Sequence, residues 1–468
     1  MRLTRSAVAL LTMLPVLAHA ADLDGAQLAL WWAVPFAGLL LSIALMPLLA
    51  GNFWHHHFGK VTAAWSLAFL IPLLLTHGAG AAVASLVHAL LAEYLPFVIL
   101  LTALYVVAGG IYIRGSLTGT PLLNTGILAI GAVLASFMGT TGASMLLIRP
   151  LIRANAHRAK VVHIVVFFIF IVSNAGGSLT PLGDPPLFLG FLKGVDFSWT
   201  LLHIWPQALF LIGVLLVLFY VLDGWMLRND ANALPQQVSD GAREAVGFDG
   251  KINFVLLAVV VGLVLMSGMW KSDVVFDVAG TPVGLPGLVR DAGLIVVALL
   301  SLVITPREVH HNNQFGWGPM QEVAKLFAGI FLTIIPVIAM LKAGVDGPFG
   351  AIVRAVTNPD GTPNTAMYFW ATGALSSFLD NAPTYLVFFN TAGGDPAVLM
   401  TALAPTLVAI SAGAVFMGAN SYIGNAPNLM VKAIAEDRGV RMPSFFGYML
   451  WSVGILVPLF IVMTYLWF

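Results

Sequence analysis

Apolar runs long enough to cross a bilayer recur along the chain at 29–50, 61–76, 95–113, 160–193, 200–222, 252–269, 285–304, 324–342, 398–437 and 446–467. The pattern predicts ten crossings, of which 160–193 and 398–437 are long and broken by polar residues. Two further stretches, 121–153 and 365–391, are apolar arms around a polar centre: Gly139-Thr140-Thr141-Gly142 in the first, Leu379-Asp380-Asn381-Ala382-Pro383 in the second. These read as re-entrant hairpins, which enter and leave by the same face. The break in 160–193 spans Ser173 to Gly190, SNAGGSLTPLGDPPLFLG. Its order Asp184-Pro185-Pro186 reads as an N-cap followed by proline at the first helical position, so a helix stops, uncoils and restarts within one crossing. Unwound backbone at membrane depth survives only where protein buries it or where it lines a polar cavity. The expected fold is an all-α polytopic membrane protein with two re-entrant hairpins and two broken helices, and the breaks mark its site.

The halves repeat. Ser136-Phe137-Met138-Gly139-Thr140 matches Ser377-Phe378-Leu379-Asp380-Asn381, and Gly183-Asp184-Pro185-Pro186 matches Gly424-Asn425-Ala426-Pro427, each pair 241 residues apart. Ser136 to Gly183 and Ser377 to Gly424 are both separated by 47 residues, a spacing that chance similarity of apolar sequence does not explain. The division expected is a first half over 21–225 (hairpin 121–153, broken helix 160–193), a polar cytoplasmic linker over 226–250, and a second half over 251–468 (hairpin 365–391, broken helix 398–437).

Composition agrees with this picture and narrows it. The chain has 468 residues, 59% hydrophobic and 9% charged, with a mean hydropathy of +0.94, too apolar for a soluble multidomain protein. Its long continuous apolar runs exclude a porin-like barrel. The absence of cysteine removes disulfides, thiolate metal sites and cysteine nucleophiles. Net charge is zero, so no bulk attraction to nucleic acid follows and no nucleic-acid partner is expected. Residues 1–20 have two arginines, a short apolar core and an Ala18-His19-Ala20 ending, the pattern of a signal peptide, whose cleavage would leave the N-terminus periplasmic. Starting from there, with both hairpins non-crossing, Lys60, Arg114, Arg149, Arg153, Arg158, Lys160, Arg228, Arg243, Lys251, Arg307, Lys325, Lys432, Arg438 and Arg441 fall inside. Only Lys193, Lys271, Arg290, Lys342 and Arg354 fall outside, the bias expected of a multi-pass protein of a bacterial inner membrane. The first hairpin then opens toward the cytoplasm and the second away from it. Inverted repeats of this kind belong to secondary transporters, with the site near the midplane at the repeat interface.

Four broken elements converge in that scheme. The hairpin tips offer Thr140, Thr141, Ser144, Asp380, Asn381 and Thr384; the helix breaks offer Ser173, Asn174, Asp184, Asn420 and Asn425. Hydroxyls, amides and carbonyls freed by unwinding are the hard oxygen ligands that sodium or a carboxylate-bearing solute needs. The half-helix starts after Asp184 and Ala382 point positive dipole ends at the same place. Asp184 and Asp380 are the two acids inside broken elements, and such a carboxylate must pair with a cation or take up a proton. Sodium and a proton competing for one carboxylate give an antiporter. Asp380 has the weaker capping case and is the stronger candidate carrier, with Asp184 as its counterpart.

Other polar groups read as structural. His55-His56-His57 lie on a short cytoplasmic loop without the spacing to converge on one metal. Arg149 to Lys160 is a positive-inside anchor, His163 a satisfied helix-end residue, and Lys325 a snorkelling lysine. Asp223 and Glu93 are interfacial. Neither a Gly-x-Ser-x-Gly elbow nor a His-Glu-x-x-His pair is present, so no enzyme is expected.

SNAGGSLTPLGDPP at 173–186, SSFLDNAPTYL at 376–386 and GANSYIGNAPNLM at 418–430 together resemble the ion transporter superfamily, over nearly all of the mature chain. Within it the chain is most similar to NhaD-type sodium:proton antiporters and the citrate-transporter branch beside them. The resemblance implies a scaffold domain and a transport domain, a homodimer, and an elevator-like movement. It maps paired sites onto Thr140, Thr141, Ser144, Ser173 and Asn174, and onto Asp380, Asn381, Thr384, Asn420 and Asn425. The leading expectation is a sodium:proton antiporter with sodium at Asp380, Asn381, Asn174 and Asp184. The alternative is a sodium- or proton-coupled citrate or dicarboxylate carrier, and a third is an arsenite-type anion permease. No cofactor is expected beyond the sodium ion and proton; the partners are a small inorganic cation or a carboxylate solute, and the lipid bilayer.

Overall fold

The computed structural model describes residues 23–115, 117–230 and 245–468. The expected signal peptide and the centre of the expected linker lie outside these residues. Among the described residues, eight helices are long and apolar enough to cross a membrane, or nine when the bent pair Gly318–Thr333 and Ile335–Lys342 counts as one span. The only strands described are two short antiparallel pairs, Tyr112–Arg114 with Gly247–Asp249 and Val275–Val278 with Thr281–Gly284. The protein is an all-α polytopic membrane protein.

The chain forms two compact units, and each draws on both sequence halves. Of the described residues, the smaller comprises 23–101, 266–293 and 317–354. Its frame is Val34–Leu49, Gly51–His88 and Gly318–Thr333. Phe97, Phe327 and Phe331 interlock edge and face in its core, with centroids 4.4 Å apart for the first two. Three expectations change here. The triple histidine does not sit on a loop: Gly51–His88 is already helical there, with His56 and His57 bonded to the carbonyls of Asn52 and Phe53 one turn back. Residues 77–94, expected to connect two crossings, are helical beyond a kink at Gly78, because the alanine-rich sequence favours helix. Glu93 is buried in that continuation and is not interfacial. Lys325 lies over the Phe58 ring at 5.1 Å.

The larger unit comprises the described residues within 102–265, 294–316 and 355–468 and holds both hairpins and both broken helices. Length and composition alone would let Pro121–Ala154 cross once, but its ends meet. The Gly119 N–H donates to the Ala154 carbonyl at 2.7 Å, and the amides of Asn124 and Asn155 pair reciprocally at 3.0 and 2.8 Å. It is a hairpin. Thr365–Phe378 and Asn381–Thr391 form the second, with Tyr368 near its start against Phe388 near its end, 6.3 Å between ring centroids. The helix Trp199–Arg228 measures their orientation. Its Asp223 binds Asn124 at the root of the first hairpin, while the Trp199 indole donates to the Met400 carbonyl just beyond the second. At 1.5 Å per residue those two points on one helix are about 36 Å apart, so the hairpins open to opposite ends.

The first hairpin's root corrects three expectations. Asp223 is fully buried, not interfacial, and Arg158 is a buried partner, not part of a loose basic anchor. The Asp223 carboxylate accepts from Arg158, from the Asn124 amide at 3.0 Å and bonds His163 Nε2 at 2.7 Å; the Arg158 guanidinium also reaches the Gly119 carbonyl. His163 therefore belongs to a buried network. The linker is also shorter than expected: Trp199–Arg228 runs into it from one side, and Gly247–Asp249 is paired with Tyr112–Arg114 on the other.

Candidate functional site

The first hairpin breaks at Gly139, whose φ of 79° is left-handed, so the second arm begins as a new helix at Thr140. The Thr140 N–H donates to the Gly183 carbonyl at 2.8 Å, and its hydroxyl donates to Asp184 Oδ1 at 2.9 Å. One turn further, the Ser144 and Ser173 hydroxyls are 2.9 Å apart. The first broken helix runs Val162–Ile171, a single tight turn Ala175–Leu179, then Pro185–Leu192. The second runs Ala404–Met417, Gly418–Asn420, then Ala426–Asp437.

Asp184 occupies the N-cap position of Pro185–Leu192, yet its side chain makes no capping bond. The reason is in the sequence. A cap bonds the N–H of the second or third helical residue. Pro186 has no N–H, and the Leu187 N–H goes to the Asp184 carbonyl at 3.1 Å. The carboxylate is thereby released into the site, where it accepts from Thr140, from the Asn425 amide at 3.0 Å and from the Asn381 amide at 2.5 Å. Asn425 is freed in the same way, with Pro427 at the second position and the Asn428 N–H on the Asn425 carbonyl at 3.0 Å. Asp380 behaves oppositely. Ala382, second in its helix, keeps its N–H, and Asp380 caps it at 3.0 Å. The capping expectations for the two acids are thus exchanged.

The repeat is repeated in the bonding. Thr180 and Ser421, 241 residues apart, donate to the carbonyls of Ser136 and Ser377 and accept from Leu182 and Ile423, both at 3.2 Å. Ser136 and Ser377 in turn donate to Gly176 and Met417, at 2.6 and 3.2 Å. On this correspondence Asn381 is the partner position of Thr140, and Asn425 that of Asp184. All three converge on Asp184, so a single carboxylate sits where the two repeats meet.

Around it, Asn425 also donates to the Ser173 carbonyl at 3.1 Å and to Asn174 Oδ1 at 3.2 Å, and Asn174 donates to Asn428 at 2.7 Å. Ser144, Ser173, Asn174, Thr140, Asp184, Asn381 and Asn425 thus form one continuous buried network. Thr384 bonds the Asp380 carbonyl in its own helix at 3.0 Å, and Thr141 is half-buried beside Thr140. Asn420 donates to Ser377 at 2.9 Å, away from Asp184. Sequence reasoning did not single out Asn428; its signal was its place three residues after Asn425 in the second break. The Asn381 and Asn420 carbonyl oxygens are buried with no donor. Four helices start at this network, at Thr140, Pro185, Asn381 and Ala426. Each start carries roughly half a positive charge; Asp380 caps one of them and its charge acts on Asp184, so the four starts roughly balance the two carboxylates. Among the described residues no lysine or arginine bonds into it. No group of three His, Cys, Asp or Glu able to hold a metal ion occurs among them either.

Over residues 25–468 the chain matches the family described as "Putative citrate transport". The chain belongs to that family. The match covers both hairpins, both broken helices and every residue of the Asp184 network. Among curated proteins none matches. The citrate-transport family supports the citrate branch of the sequence resemblance and does not single out the NhaD-type antiporter branch.

Proposed function

We propose that this member of the citrate-transport family carries citrate or a related di- or tricarboxylate by alternating access, coupled to sodium or protons through Asp184. The observation that carries the reading is the convergence of four helix N-termini on one buried carboxylate. The helix starts favour an anionic solute, whereas a bare Asp184, with Asp380 already capping one of those starts, opposes it: two like charges 4 Å apart cost about 4 kcal/mol at an effective dielectric of 20. A sodium ion or proton on Asp184 removes that repulsion, so the cation must load for the carboxylate to bind. This is coupling by electrostatics. Asn381 Oδ1, a carbonyl oxygen without a donor, suits sodium, and Thr140 and Asn425 hold the Asp184 carboxylate in place.

A second reading rests on the same carboxylate: sodium and a proton exchanging on Asp184 with no organic solute. Proteoliposomes containing a pH dye and given labelled citrate separate the two. Citrate uptake driven by an imposed sodium or proton gradient, and abolished by Asp184→Asn, is the expected result. Absence of citrate uptake under every gradient, with sodium gradients moving protons unaided, overturns it in favour of antiport.

A further inference from the structure

A polar cavity of about 520 Å³ opens in the larger unit, away from the Asp184 network, among residues that the charge bias assigns to the cytoplasmic face. Arg149, Arg153, Arg438, His310 and His311 line it, and no lining residue is acidic. Arg153 is held in place, bonded to the Tyr112 hydroxyl and to the Ile113 carbonyl at 2.8 Å. Arg149 is different. It is only 7% exposed, and among the described residues its single bond is a long one to Gln314 at 3.3 Å, with no partner for its Nε and Nη1. Both ring nitrogens of His310 are buried and unpartnered as well. A guanidinium buried with most of its donors unspent is costly unless an anion meets it. No carboxylate pairs with Arg149, Arg153 or Arg438 among the described residues; Asp437 acts on Arg149 only at longer range.

The segment that carries Asn312, Gln314 and Phe315 into the cavity is fixed from behind. Asn313 donates to the carbonyls of Gly109 and Ile111 at 2.8 and 2.7 Å, and the Tyr105 hydroxyl donates to Gly316 at 2.7 Å. Between them Gln314 adopts a left-handed φ of 49° at the end of Arg307–Asn312, a position that glycine fills at no cost. Glutamine there bears the strain and faces Arg149. We propose that this cavity is a binding site for a small multivalent oxyanion, bearing carboxylate or phosphate groups, separate from the Asp184 network. Arg149 supplies the buried charge, and Arg153, Arg438, His310 and His311 line the same cavity as further donors. Arg149 lies five residues beyond Ser144 on the same helical arm, about 7.5 Å nearer the hairpin root, so an anion there stands beside the transport site without occupying it.

Calorimetric titration of the purified full chain with citrate, and separately with inorganic phosphate, tests this. Binding of at least one probe is expected, weakened tenfold or more by Arg149→Gln and by Arg438→Gln, and retained in Asp184→Asn. Arg438 is exposed, so its variant remains informative if Arg149→Gln fails to fold. Preference for citrate makes the cavity a vestibule of the carboxylate path and rests on the function proposed above; preference for phosphate makes it a separate regulatory site. Binding of neither probe, or binding that both arginine variants leave unchanged, overturns the proposal. Because phosphate binding is read without transport, this outcome is independent of whether citrate is carried.

Discussion

Asp184 and Asn425 occupy matching positions in the two repeats and are bonded to each other at 3.0 Å. The charge can therefore be moved across the pair without moving the site. Asp184→Asn is expected to lower coupled citrate uptake about 100-fold, near 2.7 kcal/mol, while the double variant Asp184→Asn with Asn425→Asp restores a measurable part of it. Failure of the swap, with uptake as low as in the single variant, would show that the charge is needed on one repeat only. Asp380→Ala removes a cap worth about 1 kcal/mol. It is expected to lower the melting temperature of the purified protein more than it lowers uptake; total loss of uptake in a stable Asp380→Ala protein would return the carrier role to Asp380. Both acids were visible in the sequence as charges inside broken elements. Which one faces the site was also there to be found, in the prolines at the second helical positions, since a missing N–H decides whether a cap can form. Asn428 was harder to see because its role depends on contact with Asn174 across 254 residues.

At the level of elements, the turns explain how two breaks and two tips fit into one place. A Cβ built on Gly183 would lie 2.2 Å from the Gly177 carbonyl, and one on Gly424 2.5 Å from that of Gly418. Backbone cannot yield there as a side chain would, so Gly183→Ala and Gly424→Ala should each prevent recovery of folded, monodisperse protein. Gly139 has room, with the nearest atom 3.4 Å away, and only its left-handed φ resists substitution. Gly139→Ala should fold with a cost of about 1–2 kcal/mol, seen as a lower melting temperature by thermal unfolding of the purified protein. Equal damage from all three would contradict the distinction. The hairpins and breaks were legible as interruptions of apolar runs. The buried root of the first hairpin was not, because Asp223 and Arg158 sit at run ends, where a charge ordinarily reaches water, and only tertiary packing brings them together.

For the larger unit as a whole, the proposed function rests on the inversion of its two hairpins, and the helix Trp199–Arg228 is the observation that carries that inversion. Asp223 ties one end of this helix to the first hairpin's root, and Trp199 ties the other to Met400 beyond the second. The alternating access proposed above uses such a pair: loosening one hairpin would open the Asp184 network to one side while the other stays closed. The native chain has no cysteine, so single introduced thiols report sidedness without background. Ala156 follows the first root and Ala397 the second, and both are exposed. A membrane-impermeant thiol reagent applied to intact, right-side-out vesicles should label Ala397→Cys and leave Ala156→Cys unlabelled until the membrane is permeabilised. Reversed sidedness would flip the orientation inferred from lysine and arginine but preserve the inversion. Labelling of both variants from one side would remove the inverted pair, and with it the physical basis for alternating access around Asp184.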